Sequence, residues 1–190
     1  MSQWAEQLFE TIRGTDPILV VLAGSNGAGK TTFYRTMLQS TQLPFVNADE
    51  VARALQPAEP GAVAYKAMRV AGRLREDLLA RRVSFCMETV LSDTGGFKLG
   101  FMRRAKDRGY RVVVIFIRLE SAQLSQSRVH HRVRRGGHDV PSDKLIARFP
   151  RTLHNAREAL ALANLGVLLD NSQVNEPYRW VETWIDGVRC

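Results

Sequence analysis

The stretch Ile18-Leu19-Val20-Val21-Leu22-Ala23-Gly24-Ser25-Asn26-Gly27-Ala28-Gly29-Lys30-Thr31-Thr32-Phe33 decides the fold. Its apolar residues run unbroken from Ile18 to Ala23 and stop at a glycine, which predicts a short strand buried on both faces. Positions 24–31 then fit GxxxxGK[ST] in full, and a helix is predicted over 30–39. Glycines let backbone N–H groups curl around a phosphate with no side chain in the way. The helix N-terminus behind them adds partial positive charge. Lys30 is expected to be a solvated ammonium that reaches the β- and γ-phosphates, and the Thr31 hydroxyl to ligate Mg²⁺. Gly24, Ser25, Asn26, Gly27, Ala28, Gly29, Lys30, Thr31 and Thr32 are therefore the candidate nucleotide-binding residues.

Outward from this loop, strand and helix patterns alternate. An amphipathic helix is predicted over 2–13 from Trp4, Leu8 and Ile12. Further strands are predicted over 44–47, 83–87, 111–117 and 165–169, and helices over 50–55, 62–82, 96–108, 121–134 and 142–163. The alternation predicts an α/β P-loop NTPase fold: an open parallel five-stranded sheet, helices on both faces and a helical lid. The tail, with Trp180, Val181, Trp184 and Ile185, is expected to add one edge element. No repeat or linker divides the chain, so a single domain over 1–190 is expected, with the lid at about 121–157.

Composition narrows the class. The chain has 190 residues, 45% apolar and 24% charged, the balance of a soluble globular protein rather than a collagen or a disordered tail. Its longest apolar run is far too short to cross a bilayer. The start, Met1-Ser2-Gln3-Trp4 with Glu6 and Glu10, lacks a secretory signal pattern. Cys86 and Cys190 form no paired framework, so a cytoplasmic location is expected. The four histidines, His130, His131, His138 and His154, suggest no zinc site.

Three polar strand ends stand where open parallel sheets bind ligands. Asp49 ends the second strand and is the candidate general base and a further candidate for the metal; its simplest structural reading is the N-cap of the helix over 50–55. Glu88 and Thr89 end the third strand, where Glu88 can orient an acceptor or a metal-bound water. Asp170-Asn171-Ser172 ends the fifth.

The net charge is +8, and 27 residues are Lys or Arg, mostly Arg, the side chain suited to bidentate phosphate recognition. Arg128, Arg132, Arg134, Arg135, Lys144, Arg148, Arg151 and Arg157 crowd one segment that contains only Asp139 and Asp143 as acids. Arg128 and Arg132 share a helix face. Gly136, Gly137 and Pro141 supply a hinge. Such a hairpin suits a lid that brings guanidinium groups over a transferring phosphoryl, and the competing reading is a solvated basic hairpin. A nucleic-acid-binding ATPase is the alternative from charge, but only Phe149 offers an aromatic for base stacking there. No NKxD-type or LSGGQ-type motif follows, so a small-molecule kinase is favoured over a GTPase or a transporter ATPase.

Together, Leu22 to Phe33, Asn47-Ala48-Asp49, Glu88-Thr89-Val90-Leu91-Ser92, Gly136-Gly137-His138-Asp139-Val140-Pro141, Arg148-Phe149-Pro150-Arg151 and Asp170-Asn171-Ser172 resemble the zeta-toxin family of P-loop kinases, in particular its compact branch. The resemblance covers roughly residues 17–172. It implies ATP- and Mg²⁺-dependent phosphorylation of a hydroxyl of a nucleotide-activated sugar, UDP-N-acetylglucosamine in the toxins proper. It implies Lys30 on phosphate, Asp49 as base, Glu88 and Thr89 on the acceptor, and a phosphate clamp drawn from Arg128, Arg132, Arg135 and Arg148. An antitoxin protein is the implied partner. A kinase with a non-sugar acceptor is the nearby alternative.

Overall fold

The computed structural model of the protein describes residues 3–134 and 140–190. Arg135 and the hinge residues 136–139 lie outside the described residues. One sheet of seven strands forms the centre, ordered β2-β3-β1-β4-β5-β6-β7. Strands β1 (Ile18–Gly24), β2 (Phe45–Val46), β3 (Phe85–Thr89), β4 (Arg111–Arg118) and β5 (Leu165–Asp170) are parallel. These are the five expected strands. The tail adds two antiparallel ones, β6 (Arg179–Ile185) and β7 (Val188–Arg189), so the sheet is wider than the sequence predicts. A short turn at residues 186–187 suffices for an antiparallel return, whereas every parallel step needs a helical crossover.

The strands are apolar throughout because helices cover both faces. Leu19, Val21 and Ala23 of β1 face α4 (Ala64–Ala80), α5 (Phe97–Asp107) and α7 (Ser142–Leu162), among Ala71, Leu79, Met102 and Ala159. Ile18, Val20 and Leu22 face α1 (Gln3–Arg13) and the helix after the loop, among Leu8, Phe33 and Leu38. That helix starts as α2 (Lys30–Phe33) and loosens into a π-turn at Tyr34–Leu38. Tyr34 there stacks on Phe45, with ring centroids 3.6 Å apart. Cys86 is buried in this core, and burial pushes its thiol well above the ordinary range. No helix among the described residues is long and apolar enough to cross a membrane.

From β1 the chain passes to one side for β2 and β3 and to the other for β4 and β5. Crevices open at such a reversal, beyond the carboxyl ends of the strands. The register sets what lines it: Leu22 pairs with Glu88, Ala23 with Thr89 and Gly24 with Ile117.

The carboxyl end of β5 is fixed by Asp170. Its Oδ2 accepts from Arg118 Nε at 3.0 Å and Nη2 at 2.8 Å, and its Oδ1 from the Ser172 N–H at 2.8 Å. Burial pushes the carboxyl upward, but the bonds from Ser172 and Arg118 outweigh it and hold it below its ordinary value. A depressed carboxyl stabilises the fold above its unfolded value, about pH 3.9, and that contribution is lost as pH falls through the folded value. Asp170→Asn is therefore expected to cost about 1 kcal/mol at neutral pH, a figure discounted because the Arg118 side chain is 39% exposed. The gap from the wild type should close on acidification below about pH 4. Denaturant titrations at both pH values check this, and a gap that widens in acid contradicts it.

Candidate active site

The loop between β1 and α2 is braced by one side chain after another. Lys30 Nζ donates to the carbonyls of Gly24 at 2.9 Å and Ser25 at 3.0 Å. Ser125 Oγ, on α6 (Ala122–Val133), donates to the Asn26 carbonyl at 2.7 Å. Asn171 Nδ2 donates to the Ala28 carbonyl and the Tyr178 hydroxyl to the Gly29 carbonyl, each at 2.9 Å. In a planar trans peptide the carbonyl of one residue and the N–H of the next point opposite ways. The Asn26, Ala28 and Gly29 carbonyls, held by side chains of α6 and of the segment after β5, therefore turn the N–H groups that follow them the other way, which is the geometry of an anion cradle. Gly27, at φ 72°, and Gly29, at φ 91°, permit the close approach. A Cβ at Gly27 would stand 3.0 Å from the Ser125 carbonyl, and one at Gly29 2.6 Å from Asn171 Nδ2.

Lys30 is not the solvated ammonium expected from sequence. It is 6% exposed, and its Nζ stands 3.7 Å from Glu88 Oε1. Burial pulls its pKa down, while Glu88 and then Asp49 pull it back and Arg132 adds to the fall. All three charges thus lie within electrostatic reach of one ammonium.

Glu88 is the hub. Its Oε2 accepts from the Thr31 hydroxyl at 2.8 Å and from Asn47 Nδ2 at 2.7 Å. The register explains this: Val46 of β2 pairs with Met87, so the next residue on each strand meets the other. Asn47 also corrects the reading of Asp49. Asn47 is the N-cap of α3 (Ala48–Leu55), its Oδ1 accepting from the Asp49 N–H at 2.8 Å. Asp49 is inside the first turn with its side chain exposed, free of the capping duty. Thr31 and Glu88 offer a hydroxyl and a carboxylate side by side, hard oxygen donors of the type Mg²⁺ takes alongside substrate phosphates.

The remaining candidates are spread more widely. Thr89 Oγ1 accepts from the Leu91 N–H at 3.1 Å and shapes the loop after β3. Arg128, on α6, donates from Nη2 to the Ser172 carbonyl at 3.2 Å. Arg132 is exposed one turn further on, and Arg148 is half-buried on α7. Thr32 is exposed at the start of α2. Sequence reasoning missed Asn47, Ser125 and Tyr178 as parts of the site. Only Asn47 carried a signal, as an N-cap residue type ahead of a helix.

Ser25 stands apart. Its Oγ is buried and has no hydrogen-bond partner among the described residues. A buried hydroxyl without a partner costs about 1–3 kcal/mol. Ser25→Ala is expected to raise stability by about 1 kcal/mol, or roughly 2–4 °C in melting temperature. Thermal unfolding checks it; an unchanged or lower melting temperature contradicts it.

The family profile of the zeta toxins matches residues 1–175. The chain belongs to the zeta toxin family. An uncharacterised protein of Haemophilus influenzae is 28% identical over 130 residues, covering 68% of this chain and 91% of the other. A chain from the PezAT chromosomal toxin-antitoxin system of Streptococcus pneumoniae superposes with a TM-score of 0.65 at 21% identity, over 95% of this chain and 78% of that one. The AvrRxo1-ORF1:-ORF2 complex with ATP gives 0.73 at 18% identity, over 99% of this chain and 68% of that one. At these identities the two structures speak for the fold, which is that of the P-loop kinases.

Proposed function

We propose that this zeta-toxin-family chain is an ATP- and Mg²⁺-dependent kinase whose acceptor is a hydroxyl of a nucleotide-activated sugar, with UDP-N-acetylglucosamine the first choice. The observation that carries the reading is the Glu88 carboxylate gathering Thr31, Lys30 and Asn47 at the mouth of the phosphate loop. Lys30 and the inward N–H groups bind the phosphates, with Thr31 and Thr32 at the helix start. Thr31 and Glu88, with Asp49 a further candidate, would hold Mg²⁺, which would supply charge neutralisation to the phosphates. Asp49, relieved of capping by Asn47, accepts the proton of the attacking hydroxyl. Thr89 and Glu88, at the carboxyl end of β3, are the residues assigned to the acceptor.

Helices α6 and α7 act as the lid of a single-domain enzyme. Arg132 and Arg135 stabilise the transferring phosphoryl, and Arg128 and Arg148 hold substrate phosphates. Arg132 is the first of these to test, since its charge contributes to the lowering of the Lys30 pKa. A cytoplasmic setting and an antitoxin partner belong to the same reading, which the PezAT similarity supports.

The test is incubation with γ-labelled ATP, Mg²⁺ and separate acceptors: UDP-sugars, simple sugars, non-sugar alcohols and nucleic acid. Label in UDP-N-acetylglucosamine is the expected result. Transfer only to a non-sugar alcohol retires the sugar assignment. Hydrolysis stimulated by nucleic acid with no transfer retires the kinase.

A further inference from the structure

Among the braces on the phosphate loop, one is built against backbone preference. Tyr178 lies at φ 56°, a left-handed conformation that bulky side chains rarely adopt. Such strain persists where the surroundings over-determine it. Here three contacts do so. The hydroxyl donates to the Gly29 carbonyl at 2.9 Å, the ring meets Phe33 edge-on at 5.1 Å, and the Tyr178 N–H donates to Asn171 Oδ1 at 3.3 Å. Asn171 in turn holds the Ala28 carbonyl. Two linked residues from beyond β5 therefore grip consecutive carbonyls, 143 and 149 positions back along the chain. By peptide planarity these grips aim the N–H groups of Gly29 and Lys30 into the loop.

The neighbours of the hydroxyl say what the grip is for. Burial pushes the phenol above its ordinary value, while Thr32 and Arg128 act in the opposite direction. Gly29 to Thr32 is the part of a phosphate loop that receives the α- and β-phosphates. Tyr178 also lies past residue 175, where the family match ends.

We infer that Tyr178 is a positioning residue for the nucleotide, its hydroxyl fixing the Gly29 peptide so that the start of α2 presents its donors to the α- and β-phosphates of a nucleoside triphosphate. The inference rests on the phosphate-loop reading above. It acts through Gly29 and α2, not by contact with the reacting atoms. Its signature is therefore a loss of nucleotide affinity with little change in the chemical step.

Tyr178→Phe keeps the ring on Phe33 and removes only the hydroxyl. Calorimetry with ATP and ADP is expected to show binding weakened about fivefold to tenfold. The KM for ATP should rise by a similar factor, kcat should change by less than about threefold, and melting should stay within about 3 °C of wild type. Affinity within about twofold of wild type overturns the inference alone. So does a fall in binding stoichiometry at unchanged affinity, the mark of a merely structural role. A wild type that binds neither ATP nor ADP overturns the phosphate-loop reading, and the inference with it.

Discussion

Replacing Lys30 with alanine is expected to abolish phosphoryl transfer and to weaken the fold as well. The first effect follows from the role proposed for the ammonium at the β- and γ-phosphates, and a loss of at least about 10³-fold is expected. The second follows from burial. Lys30 is 6% exposed and satisfies two loop carbonyls and one face of Glu88. Its loss leaves the Glu88 side chain, 12% exposed, without its counter-charge. Breaking a buried pair costs about 3–5 kcal/mol, and the surviving bonds from Thr31 and Asn47 argue for about 3. Circular dichroism melts alongside turnover separate the two effects. A variant that is inactive yet melts like the wild type shows the ammonium to be solvated after all. Lys30→Ala with Glu88→Gln should recover part of the stability and none of the activity.

Asp49→Asn is expected to give the opposite pairing, a large kinetic effect with almost no structural one. The exposed carboxylate makes no capping bond, because Asn47 caps α3. Losing its charge from the first helical turn costs about 0.3–1 kcal/mol through the helix dipole. Transfer should fall by about 10²–10⁴, the usual share of a general base. ATP affinity should remain near the wild-type value. Single-turnover transfer and calorimetry on the same sample check the two halves. Should transfer persist within about tenfold, below that share, the base lies elsewhere on the crevice wall.

What the sequence disclosed and what it hid follow one physical division. The strand, loop and helix from Ile18 to Phe33 were legible because their signals are local: an unbroken apolar run, glycines at fixed offsets, a lysine and a hydroxyl at the helix start. The same holds for the alternation that predicts a parallel sheet. Asn47 and Asp49 were confused because both residue types cap helices and lie two positions apart. Only the place where β2 ends decides between them, and a two-residue strand leaves little periodicity to read. Lys30 was misjudged because its burial depends on Glu88, 58 positions away by residue number, arriving beside Leu22 through strand pairing. Ser125 and Tyr178 belong to no motif. Each is an ordinary residue made important by which carbonyl it meets, and that contact exists only once α6 and the β5–β6 connection have docked. The extra strands β6 and β7 were foreseen only as one edge element, since a tail rich in Trp and Val fixes neither strand number nor direction.

In the proposed function Lys30, Thr31, Glu88 and Asp49 form one phosphoryl-transfer centre. Phosphorus NMR of ATP, Mg²⁺ and UDP-N-acetylglucosamine with the wild-type protein tests it most directly. A new phosphomonoester signal on the sugar nucleotide is expected, growing as the γ-phosphate signal of ATP declines, and absent with Asp49→Asn on the same timescale. Release of inorganic phosphate alone, at a rate the acceptor does not alter and Asp49→Asn does not slow, contradicts it.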